Sequence, residues 1–148
     1  MIDPQNYQKI KFECIYQFLD YETNRDRFTQ KCDVNCPIVI IIITKKNSIF
    51  GAYASNFSTE SGGGNWVGDK NAFIFSLNLN KKYPVLNIND TEHCHKGTCG
   101  IHFNDFTVCS IYDRKGRLNA SKYLTKLELE GNESNFEVEH IIVYKVIK

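Results

Sequence analysis

Apolar and polar residues alternate near both ends of the chain. The alternating apolar positions are Ile10, Phe12, Cys14, Tyr16 and Phe18 in the first stretch, and Phe136, Val138, Ile142 and Tyr144 in the second. A period of two places such side chains on one face of a sheet. Both stretches are therefore predicted to be half-buried strands, and the second strand should run from Phe136 to Val146.

The stretch Ile38–Thr44 is β-branched almost throughout, so both of its faces are apolar. This pattern predicts a central strand that is covered on both sides. The polar turn 45–48 follows, and Ile49–Ser55 is expected to return as its hairpin partner. A glycine-rich loop is predicted for Asn56–Lys70, and the next strand for Phe73–Leu77.

Helical signals are confined to two places. Residues Thr23–Cys32 predict a short helix, capped by Thr23 or Asn24, with Phe28 and Cys32 facing the core. The stretch Ala120–Glu130 fits a helix or a strand. The other expected elements are a polar connection at Asn78–Pro84, short strands at Val85–Ile88 and Phe103–Tyr112, and a turn at 113–116.

Strands at short intervals with few helices are typical of a mainly β domain. We expect two packed antiparallel sheets, a β-sandwich, with short helices at the flanks. The 148 residues suit one domain, with its core between about residues 10 and 146.

Charge and hydropathy narrow the function classes. A net charge of +1 argues against generic nucleic-acid binding, which needs a concentrated basic surface. The run Ile38–Ile43 is too short to cross a bilayer, and the polar N-terminal residues Asp3 to Asn6 do not resemble a signal peptide. We therefore expect a cytoplasmic protein without membrane insertion, whose six cysteines are reduced thiols.

Potential metal ligands are concentrated between residues 93 and 102. The candidate zinc ligands there are His93, Cys94, His95, Cys99 and His102. Zinc takes four nitrogen or sulfur ligands in a tetrahedron. The alternatives are solvated histidines beside buried or idle thiols, or a Cys94–Cys99 disulfide. Because no C-x-x-C pair is present, we expect no bound cofactor.

Two other positions are candidates for function. Cys94 lies between two histidines and near Lys96, an electropositive setting that favours a reactive thiol. Trp66 is a large apolar residue in a mostly polar loop, and it either folds back onto the core or anchors a partner. No G-x-S-x-G elbow is present, so we expect no enzymatic activity.

Several segments together resemble the TLDc domain family. They are Arg25–Asp33, Phe50-Gly51-Ala52-Tyr53, Asp69–Leu77, Gly100–Phe103 with Asp105-Phe106, and Phe136–Tyr144. The motif positions expected to be structural are Phe50, Gly51, Tyr53, Phe73, Phe75, Gly100 and Phe103. Phe50, Tyr53, Phe73 and Phe75 are large enough to supply much of a core. The chain departs from the family pattern at Arg27, Asn104 and Ile142.

The resemblance implies a non-enzymatic protein-interaction domain. It also implies a link to the vacuolar proton-pumping ATPase and to oxidative-stress protection, both known of family members. Subunits of that pump are then the expected partners. The alternative is a metal-binding or thiol-redox protein that uses the segment His93–His102.

Overall fold

Ten strands and one helix make up the described part of the chain. The computed structural model describes residues 10–18, 25–32, 34–57, 66–87, 95–96, 101–110 and 114–147. In chain order the elements are β1 (Lys11–Phe18), α1 (Arg25–Cys32), β2 (Cys36–Thr44), β3 (Ile49–Phe57), β4 (Phe73–Ser76), β5 (Lys81–Pro84), β6 (His95–Lys96), β7 (Ile101–Phe103), β8 (Phe106–Ser110), β9 (Lys115–Leu118) and β10 (Asn135–Ile147). The protein is mainly β, which confirms the expected fold class.

The long strand β10 belongs to both halves of an antiparallel sheet system. Its C-terminal part lies between β1 and β2, which gives a first sheet in the order β1-β10-β2-β3-β4-β5. Its first residues pair with β9, which leads to a second sheet in the order β10-β9-β8-β7-β6. Both sheets therefore depend on the same strand.

The core lies between the two sheets. On β2 the alternate residues Ile38, Ile40 and Ile42 are fully buried on the inner face of the first sheet. Phe50 on β3 meets Phe106 of the second sheet, with ring centroids 6.0 Å apart, and Phe136 at 5.1 Å. These contacts across the layers are consistent with the expected sandwich.

Helix α1 covers one end of this core. Phe28 and Cys32, four residues apart, are fully buried, as the sequence predicted. The ring of Phe28 meets Tyr16 of β1 edge-on at 5.2 Å. The predicted caps Thr23 and Asn24 lie outside the described residues.

Two β-bulges correct the alternation predicted for β1 and β10. The register of β1 shifts between Cys14 and Tyr16, so that Tyr16 is buried while Phe12 is 59% exposed. The register of β10 shifts between Val138 and His140. An extra residue in one strand reverses the facing of every later side chain. Beyond the second bulge the core residues are therefore Ile141 and Val143, and Ile142 and Tyr144 face outward.

Other predicted boundaries were wrong. The polar connection at Asn78–Pro84 contains strand β5, whereas residues 85–87 form no strand. The single strand expected at Phe103–Tyr112 is two strands, β7 and β8, separated by a bend at residues 104–105. The expected turn at 113–116 overlaps β9, and the ambiguous stretch Ala120–Glu130 forms neither helix nor strand.

Candidate functional site

The outer face of the first sheet is apolar and only partly covered. It consists of the side chains that point away from the core on four neighbouring strands, β10, β2, β3 and β4, and we call it the outer face. Cross-strand register and burial place Val39, Ile41, Ile43, Ile49, Tyr53, Phe73, Phe75, Ile142 and Tyr144 on it. Strand β2 was expected to be covered on both sides, but its outer residues remain partly exposed.

Aromatic rings order the centre of this outer face. Tyr53 stacks on Phe73 with centroids 5.1 Å apart and an angle of 22° between the rings. Lys82 places its ammonium nitrogen 4.2 Å from the centre of the Phe73 ring, a cation–π geometry. A Cβ added to Gly51 would come within 2.8 Å of the Phe75 ring and 1.9 Å of the Ile40 carbonyl oxygen. Only glycine lets the Phe75 ring lie across this position.

These contacts divide the F-G-A-Y motif between two surfaces. Phe50 points inward and is fully buried, so it supplies the core as expected. Tyr53, Phe73 and Phe75 point outward and are partly exposed, so the expectation that they supply the core was wrong. They share a face because Tyr53 lies opposite Phe73 across the β3–β4 pair, and Phe75 lies two residues after Phe73 on β4.

The buried carboxylate of Asp69 links the loop before β4 to the C-terminal part of β3 and to β6. Asp69 accepts hydrogen bonds from Ser55 N and Oγ, both at 2.7 Å, and from Asn71 N at 3.1 Å. Its Oδ2 lies 3.1 Å from Nε2 of His95, which is fully buried. Burial raises the pKa of Asp69, but the hydrogen bonds from His95 and Ser55 outweigh it and hold the pKa below its ordinary value.

The side chain of His95 is buried and has a structural role. An ionised carboxylate can only accept hydrogen bonds, so His95 donates through Nε2–H to Asp69. The ring stacks on Phe57 at 5.9 Å and meets Phe103 at 5.5 Å. The backbone of His95 pairs with that of Val67 as an isolated bridge. This cluster therefore fastens β6 and the loop before β4 to β3.

The structure does not bring His95 and His102 together. In the β6–β7 pair His95 lies opposite Phe103, while His102 lies opposite Lys96. Neighbouring positions along a strand point to opposite faces, so the two imidazoles lie on opposite sides of the hairpin. His93, Cys94, Cys99 and Gly100 lie outside the described residues. In the part of the chain that is described, no three His, Cys, Asp or Glu side chains form a metal-binding group.

The remaining predicted candidate, Trp66, is partly exposed next to this cluster. It immediately precedes Val67, whose N–H donates to the His95 carbonyl at 2.8 Å. Trp66 also makes a contact of its own within the protein. It is thus held at the margin of the fold, with part of its surface available to a partner.

A second buried carboxylate, Asp105, was not singled out by its chemistry in the sequence. It is fully buried and accepts hydrogen bonds from Ser121 N and Oγ and from the backbone N–H groups of Lys122, Tyr123 and Leu124, at 2.5–3.1 Å. The segment that Asp105 holds is neither helix nor strand, so its backbone N–H groups have no partners in a helix or a sheet. The Asp105 carboxylate accepts their hydrogen bonds instead. In the sequence, Asp105 was indicated only by the resemblance of Asp105-Phe106 to the TLDc pattern.

A cavity of about 720 Å³ lies where β2, β9 and β10 meet. It is lined by Lys45, Lys46, Lys115, Gly116, Arg117, Glu130, Glu133, Asn135, Phe136 and Glu137. Its walls carry exposed ion pairs, Lys45 with Glu137 at 3.1 Å and Lys46 with Glu133. Opposite charges of this kind largely neutralise each other, so the cavity has no strong preference for one sign of ligand.

Within the described residues, no helix has the length and apolar character needed to cross a membrane.

Most of the chain matches a known protein family. A family model for the TLDc domain matches residues 1–110 of the 148. The matched range holds the F-G-A-Y motif, Asp69 and Asp105, while β9 and β10 lie beyond it. No curated protein matches the chain. Because the match covers well over half of the sequence, the chain belongs to the TLDc domain family.

Proposed function

We propose that this protein is a non-enzymatic, cytoplasmic interaction domain that binds a protein partner through the outer face of its first sheet. Membership of the TLDc family supports the general role in protection against oxidation. The proposed partners are subunits of the vacuolar proton-pumping ATPase, as the resemblance to the TLDc family implies.

The composition of the outer face is the observation that carries this proposal. An antiparallel sheet of a sandwich commonly has one apolar face toward the core and one polar face toward water. Here Ile41, Ile43 and Ile142 on three adjacent positions face away from the core and are partly exposed. Contiguous apolar surface of this kind marks interaction sites in soluble proteins.

The aromatic residues of the outer face suit a protein partner in particular. Tyr53, Phe73 and Tyr144 offer rigid rings with polar groups on the tyrosines, and such residues are enriched in the centres of protein interfaces. Lys82 stands at the margin of the cluster, where interfaces are polar.

The positions of the histidines support binding rather than catalysis. His95 is buried and committed to Asp69. The described cavity is lined by lysine, arginine and glutamate and by no histidine, cysteine or serine. Neither arrangement pairs a serine or cysteine nucleophile with a histidine base.

Affinity capture with a matched pair of variants tests the proposal. Immobilised wild-type protein is expected to retain pump subunits from solubilised vacuolar membranes, identified by mass spectrometry. The triple variant Val39→Thr, Ile41→Thr, Ile43→Thr keeps β-branched side chains but makes the outer face polar, and it should lose at least about nine-tenths of the capture.

The control is the double variant Leu77→Thr, Leu79→Thr, which removes apolar groups that are 56% and 44% exposed in the turn after β4. It should capture like the wild type, while Trp66→Ala tests the loop separately. Failure of the wild type to retain pump subunits, or equal retention by the triple variant, would overturn the proposal.

A further inference from the structure

Strand β1 forms a longer edge of the sheet system than the other edge strands of the described structure. β1 spans eight residues and, among the described strands, pairs only with β10. The opposite edge, β5, has four residues and includes Lys81, Lys82 and Pro84. Lysine and proline at an edge block pairing with another chain, and short edges do the same. At the third edge, β6 comprises two residues within the described part of the chain.

The first half of β1 also lies outside the core. Ile10 is 54% exposed and Phe12 is 59% exposed, although both belong to the alternating apolar set. Phe12 is supported from one side by Tyr144, whose ring meets it edge-on at 6.2 Å. The charged neighbours Lys11 and Glu13 are exposed too, and no ion pair within the described residues involves either of them. An extended segment of this kind invites an additional strand.

The sequence of this segment is complementary to itself. When two copies of β1 run antiparallel with Phe12 opposite Phe12 of the second copy, Lys11 of each lies opposite Glu13 of the other. On the other face Ile10 lies opposite Cys14. Residues directly opposite each other are about 5 Å apart at Cβ, close enough for ion pairs and ring contacts.

No neighbouring register matches as well. Centring the pair on Lys11 opposes two lysines, and centring it on Glu13 opposes two glutamates. A shift by half a step places Lys11 opposite Phe12 and mixes charged with apolar groups. Like charges directly opposite each other destabilise a strand pair.

We propose that this protein forms a symmetric dimer by antiparallel pairing of β1 with β1 of a second copy, centred on Phe12. The pairing joins two first sheets edge to edge and leaves the outer-face residues of β2, β3 and β4 open, while Phe12 contacts Tyr144 at the margin of that face. Because only five residues of each strand meet, the interface is small and the dimer is weak and concentration-dependent.

Charge exchange between Lys11 and Glu13 tests the register directly. Sedimentation of the full chain from low micromolar to high micromolar concentration should show a monomer–dimer equilibrium. Lys11→Glu and Glu13→Lys each place like charges opposite each other and should weaken the dimer at least about tenfold. The double variant Lys11→Glu, Glu13→Lys restores opposite charges and should dimerise within about threefold of the wild type.

Mixing the two single variants gives a second, independent readout. The two chains complement each other, so the mixture should form heterodimers under conditions where each variant alone is monomeric. Both exchanged positions, Lys11 and Glu13, are exposed, so the circular dichroism spectrum should be unchanged. A wild type that stays monomeric, or a double variant that is as weak as the single variants, would overturn the proposed pairing.

Discussion

His95 Nε2 lies 3.1 Å from Asp69 Oδ2, and both side chains are buried, although 26 positions separate them in the chain. This contact joins the short hairpin β6–β7 to the loop before β4 and, through Ser55, to β3. It makes His95, one of the candidate zinc ligands, part of the framework.

Asp69→Asn should lower the free energy of unfolding by about 3 kcal/mol. The NH₂ group of the new amide would face the N–H and O–H donors that now bond to the carboxylate. Urea unfolding measures the change. The matched control is Glu137→Gln, which alters a carboxylate that is 58% exposed and paired with Lys45. That control should cost about 0.5 kcal/mol or less. Equal effects at the two sites would contradict the proposed role of Asp69.

Stability should also depend on pH through Asp69. Its pKa in the folded protein lies below the ordinary value, so its contribution is fully present above the unfolded-state pKa of about 4 and is lost as pH falls through the lower, folded value. The difference in unfolding free energy between wild type and Asp69→Asn should therefore shrink below about pH 4. A difference that stays constant down to the acid limit would argue against a hydrogen-bonded carboxylate here.

Gly51→Ala should destabilise the protein by about 3 kcal/mol or more, since the new Cβ would meet the backbone oxygen of Ile40 at 1.9 Å. Gly131→Ala is the control, because nothing lies within 4 Å of its added Cβ and only its φ of 61° opposes the change. That variant should cost about 1 kcal/mol. Thermal unfolding of both proteins gives the comparison, and a smaller effect at Gly51 than at Gly131 would be inconsistent with the close approach.

Asp105→Asn should release the segment that follows β9. Several backbone N–H groups between Ser121 and Leu124 would lose their charged acceptor, at a cost of about 3 kcal/mol. Limited proteolysis should then cut near Lys122 well below the midpoint of global unfolding. Unchanged resistance at this site would show that the segment is held by other contacts.

The described thiols should react at very different rates. Burial raises the pKa of Cys32 to about 12, so almost none of it is thiolate at pH 8. Cys14 is exposed and should be alkylated first, while Cys32 should be modified only in guanidinium chloride. Mass spectrometry of peptides after brief treatment distinguishes them, and fast native labelling of Cys32 would contradict its burial.

The sequence predicted the elements whose pattern is strong over many residues. The β-branched run of β2, the apolar pair Phe28 and Cys32 on α1, and the long final strand all have the expected type. On α1 the side chains alone indicate which positions meet the core, because burial on a regular element follows its period.

The sequence did not predict features that depend on distant residues. The bulge between Val138 and His140 reverses the facing of Ile142 and Tyr144, yet no glycine or proline marks it. Strand β5 carries Lys81, Lys82 and Pro84, which look like a connection until β4 pairs with them. The burial of His95 depends on Asp69, and nothing local to residue 95 indicates that partner.

Strand β10 follows the nine other described strands in sequence, yet it is the one that joins them. During synthesis one edge of the isoleucine-rich strand β2 therefore stays without its partner strand β10 while about ninety further residues are translated. Contacts between residues so far apart in sequence form slowly, and until they form, aggregation-prone hydrophobic segments stay exposed. The nascent chain should accordingly be a client of ribosome-associated chaperones until its final strand emerges.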